Sequence, residues 1–263
     1  MSTLPYLAAF LPADSRLKAS QRVRVMSEEW AASLAYCPAC GSPLEKLKAG
    51  LPVADFRCSG CPEEYELKSK AGSFGKKIVD GAYATMMQRL ASDTAPNLLL
   101  LSYEKASSAP LAFLAIPKGF FRPLTIERRK PLAATARRAG WVGCNILLSE
   151  IPEAGRICLV EQATVRPKQE VMHEWRLAGK VGQKRAEMKG WLLDVMLCID
   201  ALGQEVFTLN ELYAFEEKLA LRHPGNSHIR EKIRQQLQVL RDLGYLHFET
   251  RGNYRLSFLP HRH

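Results

Sequence analysis

Pro52-Val-Ala-Asp55-Phe-Arg-Cys58-Ser-Gly-Cys61-Pro-Glu-Glu-Tyr-Glu66-Leu-Lys68-Ser-Lys70 is the stretch from which the rest of this chain is read. A short apolar run ends on an acid, a Cys-x-x-Cys unit follows, and a Glu-x-Lys pair closes it. β-Branched and aromatic content with alternation predicts short strands over Val53–Phe56 and Tyr65–Ser69. Side chains two apart on a strand share a face, so Glu66 and Lys68 point together with Leu67 opposed. Pairing of the two strands would bring Asp55 beside them. Two carboxylates hold a hard divalent cation through oxygen, and Leu67 is in position to lend a backbone carbonyl to the same ion. An ammonium beside a metal-bound water orients it or offsets developing charge. That is what a magnesium-dependent hydrolase of phosphodiesters needs. Acids and lysines also alternate on many solvated strands, so the spacing alone leaves both readings open.

The cysteines narrow the choice. Cys37-Pro-Ala-Cys40-Gly and Cys58-Ser-Gly-Cys61 form two Cys-x-x-Cys units, each with a glycine inside or after it. Short turns of this kind bring two thiolates each onto one tetrahedral zinc ion, the pattern of a zinc ribbon. Four thiolates leave no position for water, so the site is structural. Cys58 and Cys61 lie between Asp55 and Glu66, and zinc there would fix the connection that aligns the two acids. Cys144, Cys158 and Cys198 are isolated in apolar settings and read as small buried hydrophobes.

The chain has 263 residues, 47% of them hydrophobic, enough for one large domain or two smaller ones. Its net charge is +10. Residues 186–263 carry as many acidic as basic residues, so the whole excess lies in residues 1–185. A basic excess favours an anionic partner, nucleic acid above all. No apolar run reaches the length of a membrane span and the start lacks a secretory charge pattern, which predicts a soluble, cytoplasmic protein without membrane partners. Seven cysteines, four of them in paired units, suit a metal site in a reducing compartment better than disulfides. No Gly-x-Gly-x-x-Gly or phosphate-loop sequence occurs, against a dinucleotide enzyme or an ordinary nucleotide hydrolase.

Residues 1–20, broken by Pro5 and Pro12, suggest an arm. An amphipathic helix is expected over residues 21–35, with Ser27-Glu28-Glu29 able to supply an interior start. Glu28 or Glu29 is either an acidic first turn or a third carboxylate for the metal. Gly72, Gly75, Lys76 and Lys77 suggest a mobile basic loop, followed by a helix from Val79 to Leu90 with Tyr83, Met86, Met87 and Leu90 on one side. Leu98–Tyr103 and Leu111–Ile116 read as interior strands of a mixed sheet, and Ile157–Val160 as another. Between residues 118 and 145, Lys118, Arg122, Arg128, Arg129, Lys130, Arg137 and Arg138 interleave with Phe120, Phe121 and Trp141. That composition clamps phosphates and offers aromatics to bases, or forms a solvated basic loop. Residues 161–190 look like a flexible basic connection.

From Trp191 the texture is helical. Helices are expected over Trp191–Leu202, ended by Gly203, over about Asn210–Leu221, and from a Ser227 cap to Leu243, stopped by Gly244. Tyr245–Phe248 and Tyr254–Phe258 then form a hairpin. Three helices and a terminal hairpin make a winged helix, whose third helix (Arg230, Arg234, Arg241) and wing (Arg251) usually meet DNA; such units also bind proteins.

With these residues in hand, the chain resembles the DpnI-like family of methyl-directed type IIM restriction endonucleases. The likeness lies in Pro52-Val-Ala-Asp55-Phe, Glu64-Tyr-Glu66-Leu-Lys68-Ser-Lys70, Asp80-Gly-Ala-Tyr-Ala-Thr-Met-Met87, Arg129-Lys-Pro-Leu-Ala133, Thr135-Ala-Arg-Arg-Ala-Gly-Trp141, Gly143-Cys-Asn145 and Ile229-Arg-Glu-Lys-Ile-Arg-Gln-Gln-Leu237. It implies an α/β fold: a mixed-sheet PD-(D/E)xK nuclease domain with an inserted four-cysteine zinc site over residues 1–185, then a winged-helix DNA-binding domain over 186–263. It also implies binding of duplex DNA methylated at adenine N6 in GATC, by a monomer, with magnesium-dependent blunt cleavage between methyl-A and T. In such relatives the winged helix binds a second copy of the target. Carried over, Asp55, Glu66 and the Leu67 carbonyl would ligate magnesium and Lys68 would position water. Cys37, Cys40, Cys58 and Cys61 would hold zinc, and Trp141 with Arg137 and Arg138, together with Arg230, Arg234 and Arg251, would meet DNA. Here Pro52 stands three positions before the ligand rather than beside it. Residues 1–20 and 161–190 match poorly. A catalytically silent methyl-DNA-binding module and a zinc-containing winged-helix regulator are the competing readings; the intact Asp55, Glu66 and Lys68 favour cleavage.

Overall fold

A computed structural model describes residues 4–11, 17–48, 54–92 and 94–257. Val53, expected in the first strand, and Phe258, expected in the last, lie outside the described residues, as does Pro52. In chain order the elements are α1 (Ala19–Leu34), β1 (Leu44–Lys46), β2 (Phe56–Cys58), β3 (Glu64–Ala71), β4 (Lys77–Ala82), α2 (Tyr83–Ala91), β5 (Asn97–Tyr103), β6 (Pro110–Ile116), β7 (Ile126–Arg128), β8 (Gly143–Leu147), β9 (Ile157–Glu161), β10 (Thr164–Val165) and α3 (Lys168–Gly182). There follow α4 (Ala186–Leu202), β11 (Val206–Thr208), α5 (Leu209–Tyr213), α6 (Glu216–Arg222), α7 (Ile229–Leu243), β12 (Leu246–Thr250) and β13 (Asn253–Leu256).

Among the described residues one mixed sheet runs in the order β1-β2-β3-β5-β6-β9-β10, with β3 and β5 parallel and their neighbours antiparallel. Every residue of β5 is buried, as its unbroken apolar run requires of a strand covered on both faces. On one face Trp30 of α1 meets Phe113 of β6 edge-on, with ring centroids 5.5 Å apart. By the register of β3, β5 and β6, Tyr65 lies on the same face as Phe113, and it packs beside Trp175 of α3. A smaller sheet, β4-β8-β7, stands beside the first. The carboxy-terminal helices close around the sheet β11-β13-β12, with α4 and α7 packed together, in winged-helix order. Together these make an α/β domain followed by a helical one of the helix-turn-helix class.

Several expectations are corrected. Residues 4–11 of the expected amino-terminal arm are packed: Leu7 is fully buried and the Trp30 indole donates to the Pro5 carbonyl at 3.0 Å. α1 begins at Ala19, so Ser27 and Glu28 lie buried in mid-helix rather than at a start. The helix expected from Val79 is a strand up to Ala82, because Ile78 and Asp80 alternate inward and pair along β8. Residues 161–190 are no flexible connection. Val171, Trp175, Ala178 and Val181 recur at helical spacing and are buried, an apolar stripe that the many charges around it obscured. Phe120 and Phe121 belong to the core and cannot offer their rings to bases. The second helix of the carboxy-terminal unit is divided into α5 and α6, with Phe207 in β11. α7 begins at Ile229 with no side-chain cap from Ser227; instead the Asn226 amide oxygen accepts the His228 N–H at 2.7 Å. Gly203 and Gly244 do end their helices in left-handed conformations.

A buried ion network joins the two units. Asp194 of α4 accepts from Arg122 at 2.5 Å and from Arg222 at 2.6 Å, while its second oxygen lies 2.9 Å from His223 Nε2. Arg222 also forks onto Glu150 at 2.7 and 3.0 Å, and the His223 ring stacks on Trp191. Burial works against the Asp194 charge, but the Arg122 and Arg222 guanidiniums hold its carboxyl below the ordinary range. A depressed folded-state value stabilises the fold fully above the ordinary Asp value of about 4, and that stabilisation drains away as pH falls through the lower folded value. Asp194→Ala leaves Arg122 uncompensated and takes from Arg222 one of its two carboxylates, and is expected to cost about 3–5 kcal/mol in denaturant titrations at neutral pH. The deficit should shrink below pH of about 4, where the wild type loses the same interaction.

Candidate metal-dependent active site and zinc centre

The β2–β3 pairing, Phe56↔Tyr65 and Arg57↔Glu64, sets the geometry. Just before β2, the Asp55 N–H donates to the Tyr65 carbonyl at 2.9 Å. The Asp55 carboxylate then reaches along the free edge of β3 and accepts the Leu67 N–H at 2.8 Å. In an extended strand the N–H and C=O of one residue leave by the same edge. The Leu67 carbonyl therefore faces the Asp55 side as well. Glu66 and Lys68 flank Leu67 on the opposite face of the strand from Tyr65, and the Lys68 ammonium meets Glu66 at 2.5 Å. Asp55, Glu66 and Lys68, which the sequence singled out, thus line one open cleft of about 540 Å³ together with Arg24, Lys70, Lys77 and Val79.

Two partners of these residues were not singled out. Asp80 of β4 is 8% exposed and lies 2.7 Å from Lys68 Nζ. Arg24 of α1 reaches Asp55 at 3.3 Å and Glu28 at 2.5 Å. Helical spacing of Arg24 to Glu28 was a signal for the second; Asp80 was hidden by the helix expected over it. Glu28 is buried between Arg24 and Lys46, with Lys46 also on Glu29, so both acids are paired. Burial raises the Glu66 carboxyl above its ordinary value, with Lys68 opposing the shift. Burial disfavours the Lys68 charge, yet Glu66 and Asp80 hold the ammonium above its usual range.

Below the strand, the Sγ atoms of Cys37, Cys40, Cys58 and Cys61 all lie within 4.8 Å of one another. Cys37 and Cys61 are 3.6 Å apart, Cys40 and Cys58 3.3 Å. A tetrahedral ion with Zn–S of about 2.3 Å requires separations of about 3.8 Å, so the all-thiol set fits zinc. Gly41, at φ +80°, makes the turn after Cys40 that a side chain would strain. The Tyr65 hydroxyl lies 3.0 Å from Cys37 Sγ, linking this centre to β3 one residue before Glu66.

The basic excess surfaces at residues 128–140, which are mostly exposed. Arg138 lies 4.7 Å over the Trp141 ring, and the indole sits on Gly143, where a Cβ would fall 2.8 Å from it. Arg137 and Arg138 border a shallow hollow with Leu132 and Ala136. Arg122 is withdrawn from this surface into the Asp194 network. On α7, Arg230 lies over the Tyr213 ring and pairs with Glu216, while Arg234 donates to the Tyr213 hydroxyl and pairs with Glu231. Arg251 is exposed at the hairpin turn. The described residues hold no helix long and apolar enough to cross a membrane.

A family model described as DpnI, Dam-replacing family, matches residues 12–184, and one described as the Dam-replacing HTH domain matches residues 187–256.

Two outcomes follow from the geometry. Cys37→Ser or Cys61→Ser should lower the zinc content measured by elemental analysis and reduce thermal stability, because a four-ligand site contributes folding free energy. Glu66 has a raised folded-state value, so whatever its protonated form contributes is lost as pH rises through that value. Glu66→Gln, which cannot ionise, should therefore flatten the pH dependence of the melting temperature in buffer without added divalent cations.

Proposed function

Because this chain belongs to the Dam-replacing family, of the DpnI type, we propose that it is a magnesium-dependent endonuclease for duplex DNA methylated at adenine N6 in GATC. On this reading residues 1–185 are a PD-(D/E)xK nuclease domain that cuts bluntly between methyl-A and T. Residues 186–263 are a winged-helix DNA-binding domain, and the protein acts as a monomer. The observation that carries the reading is the Asp55 carboxylate on the Leu67 N–H, on the stretch of β3 that also carries Glu66 and Lys68.

Asp55 and Glu66, with the Leu67 carbonyl, offer the hard oxygen set that suits magnesium. When bound, that ion polarises the scissile phosphate and makes a coordinated water nucleophilic near neutral pH. The Leu67 N–H fixes the Asp55 carboxylate, so the residue reaches the ion pre-aligned. Lys68, as an ammonium, orients the attacking water and offsets charge growing on the phosphate. The exposed arginines of residues 128–140 contact phosphates, and the Trp141 indole, held between Arg138 and Gly143, supplies a rigid apolar plane. The N6-methyl group removes one donor hydrogen from adenine but adds apolar area at the major-groove edge, which such a wall prefers. Arg230, Arg234 and Arg251 present the winged helix to a duplex.

Digestion of fully methylated, hemimethylated and unmethylated GATC plasmids, with magnesium and with EDTA, tests the reading. Cleavage of methylated plasmid in magnesium alone is expected. Retention of methylated duplex without any cut would favour the catalytically silent reading instead.

Asp55→Ala, Glu66→Ala and Lys68→Ala should each slow cleavage by at least about 10²-fold while methylated duplex is still bound. A Glu66→Ala protein cutting at the wild-type rate would falsify the site assignment. Arg230→Ala or Arg234→Ala, measured by fluorescence anisotropy, should cost about 1–3 kcal/mol of binding if the lost contact is to a base, or flatten the salt dependence if it is to a phosphate.

A further inference from the structure

We propose that Asp80 is a positioning residue for Lys68, and that through it the small sheet carrying the basic loop sets the geometry of the cleft. This rests on the endonuclease reading above. Asp80 comes from β4, in a different sheet from Lys68, and its side chain is only 4% exposed. A carboxylate buried so deeply is costly unless paired, and Lys68 Nζ at 2.7 Å is the charge that pairs it.

An ammonium has three N–H donors. Glu66 and Asp80 take two of them, leaving one to point into the cleft. Glu66 is also a proposed metal ligand, and an oxygen turned toward a cation is a weaker tether for Lys68. Asp80 has no such second duty. It keeps the amine in place when Glu66 is engaged, so that the remaining N–H meets the water or phosphate oxygen at a fixed angle.

The placement of Asp80 depends in turn on β8. Asp80 faces Cys144 across the β4–β8 ladder, and the register shifts by a bulge between Asp80 and Ala82. β8 begins two residues after Trp141, whose indole rests on Gly143, and the Arg129 N–H is bonded to the Gly143 carbonyl at 3.0 Å. The basic loop and the residue that holds Lys68 are therefore neighbours on one ladder, and engagement of the loop by a duplex bears directly on the position of the amine.

The test uses the full-length zinc-loaded protein and methylated GATC duplex, with binding measured in calcium and single-turnover cleavage measured in magnesium. Asp80→Asn should slow cleavage by about 10–100-fold. Asp80→Glu, which keeps the charge one methylene further out, should fall between Asp80→Asn and the wild type. Duplex affinity of both should stay within about threefold of wild type, because the arginines and the indole proposed to hold the duplex are left unchanged. Melting temperature and zinc content establish folding; if Asp80→Asn does not fold, slowed cleavage with unchanged affinity in Asp80→Glu carries the test. Asp80→Asn cleaving within about twofold of wild type overturns the proposal. So does parallel loss of rate and affinity, or an Asp80→Glu rate no higher than that of Asp80→Asn, either of which assigns Asp80 a merely structural role. A wild-type protein that does not cleave methylated duplex at all fails the endonuclease reading itself, a distinct outcome.

Discussion

The pairing of β2 with β3 is the constraint on which the rest of the site depends. Among the described residues two residue pairs define it, Phe56↔Tyr65 and Arg57↔Glu64, and so short a ladder is poorly specified by backbone bonds alone. A slip of one residue would exchange the faces of β3, placing Glu66 and Lys68 where Tyr65 now sits. The four thiols prevent this from one end, since Cys58 closes β2 and Cys61 precedes β3. Tyr65 prevents it from the side, its ring beside Trp175 and its hydroxyl on Cys37. A structural centre that performs no chemistry thereby decides which side chains reach the cleft.

Two charge networks of similar construction serve different ends. Asp194, with Arg122, Arg222 and Glu150, lies at the junction of the α/β and helical units and is closed to solvent on nearly every side. It fixes the two units against one another. Around Lys68, by contrast, Glu66 and Asp80 form a network with one side open to the cleft. There the same cost of burying charge holds a donor in readiness instead of joining surfaces. The remaining cleft acid, Asp55, is balanced by Arg24 at 3.3 Å, a partner 61% exposed at its side chain that also holds Glu28.

The surface charge follows the same division of labour. Its excess lies in the amino-terminal unit, and the largest exposed share is the loop at residues 128–140. The arginines of α7 are tied to Glu216, Glu231 and Tyr213, so that face is ordered before any partner arrives.

What the sequence determined by itself is whatever local chemistry encodes. Four cysteines in two short turns announce a metal cluster, because thiol spacing within a turn limits their separation. The Glu66-x-Lys68 pair shares a face because a strand alternates. Gly203 and Gly244 mark helix ends because they tolerate the left-handed conformation, and the carboxy-terminal order of helices and hairpin reads as a winged helix from its periodicity. What only the tertiary structure decided involves groups far apart in the chain. Arg122 reads as one more cation of a basic stretch until Asp194 is beside it. Phe120 and Phe121 read as stacking aromatics until α3 and the turn at Gly155 cover them. Asp80 reads as a helix residue until β8 pairs with its strand and turns its carboxylate onto Lys68. Local propensity over residues 77–90 does not separate strand from helix, and the choice is made by hydrogen bonds to a strand more than sixty residues away. Burial, and not residue type, then tells a surface arginine from a structural one.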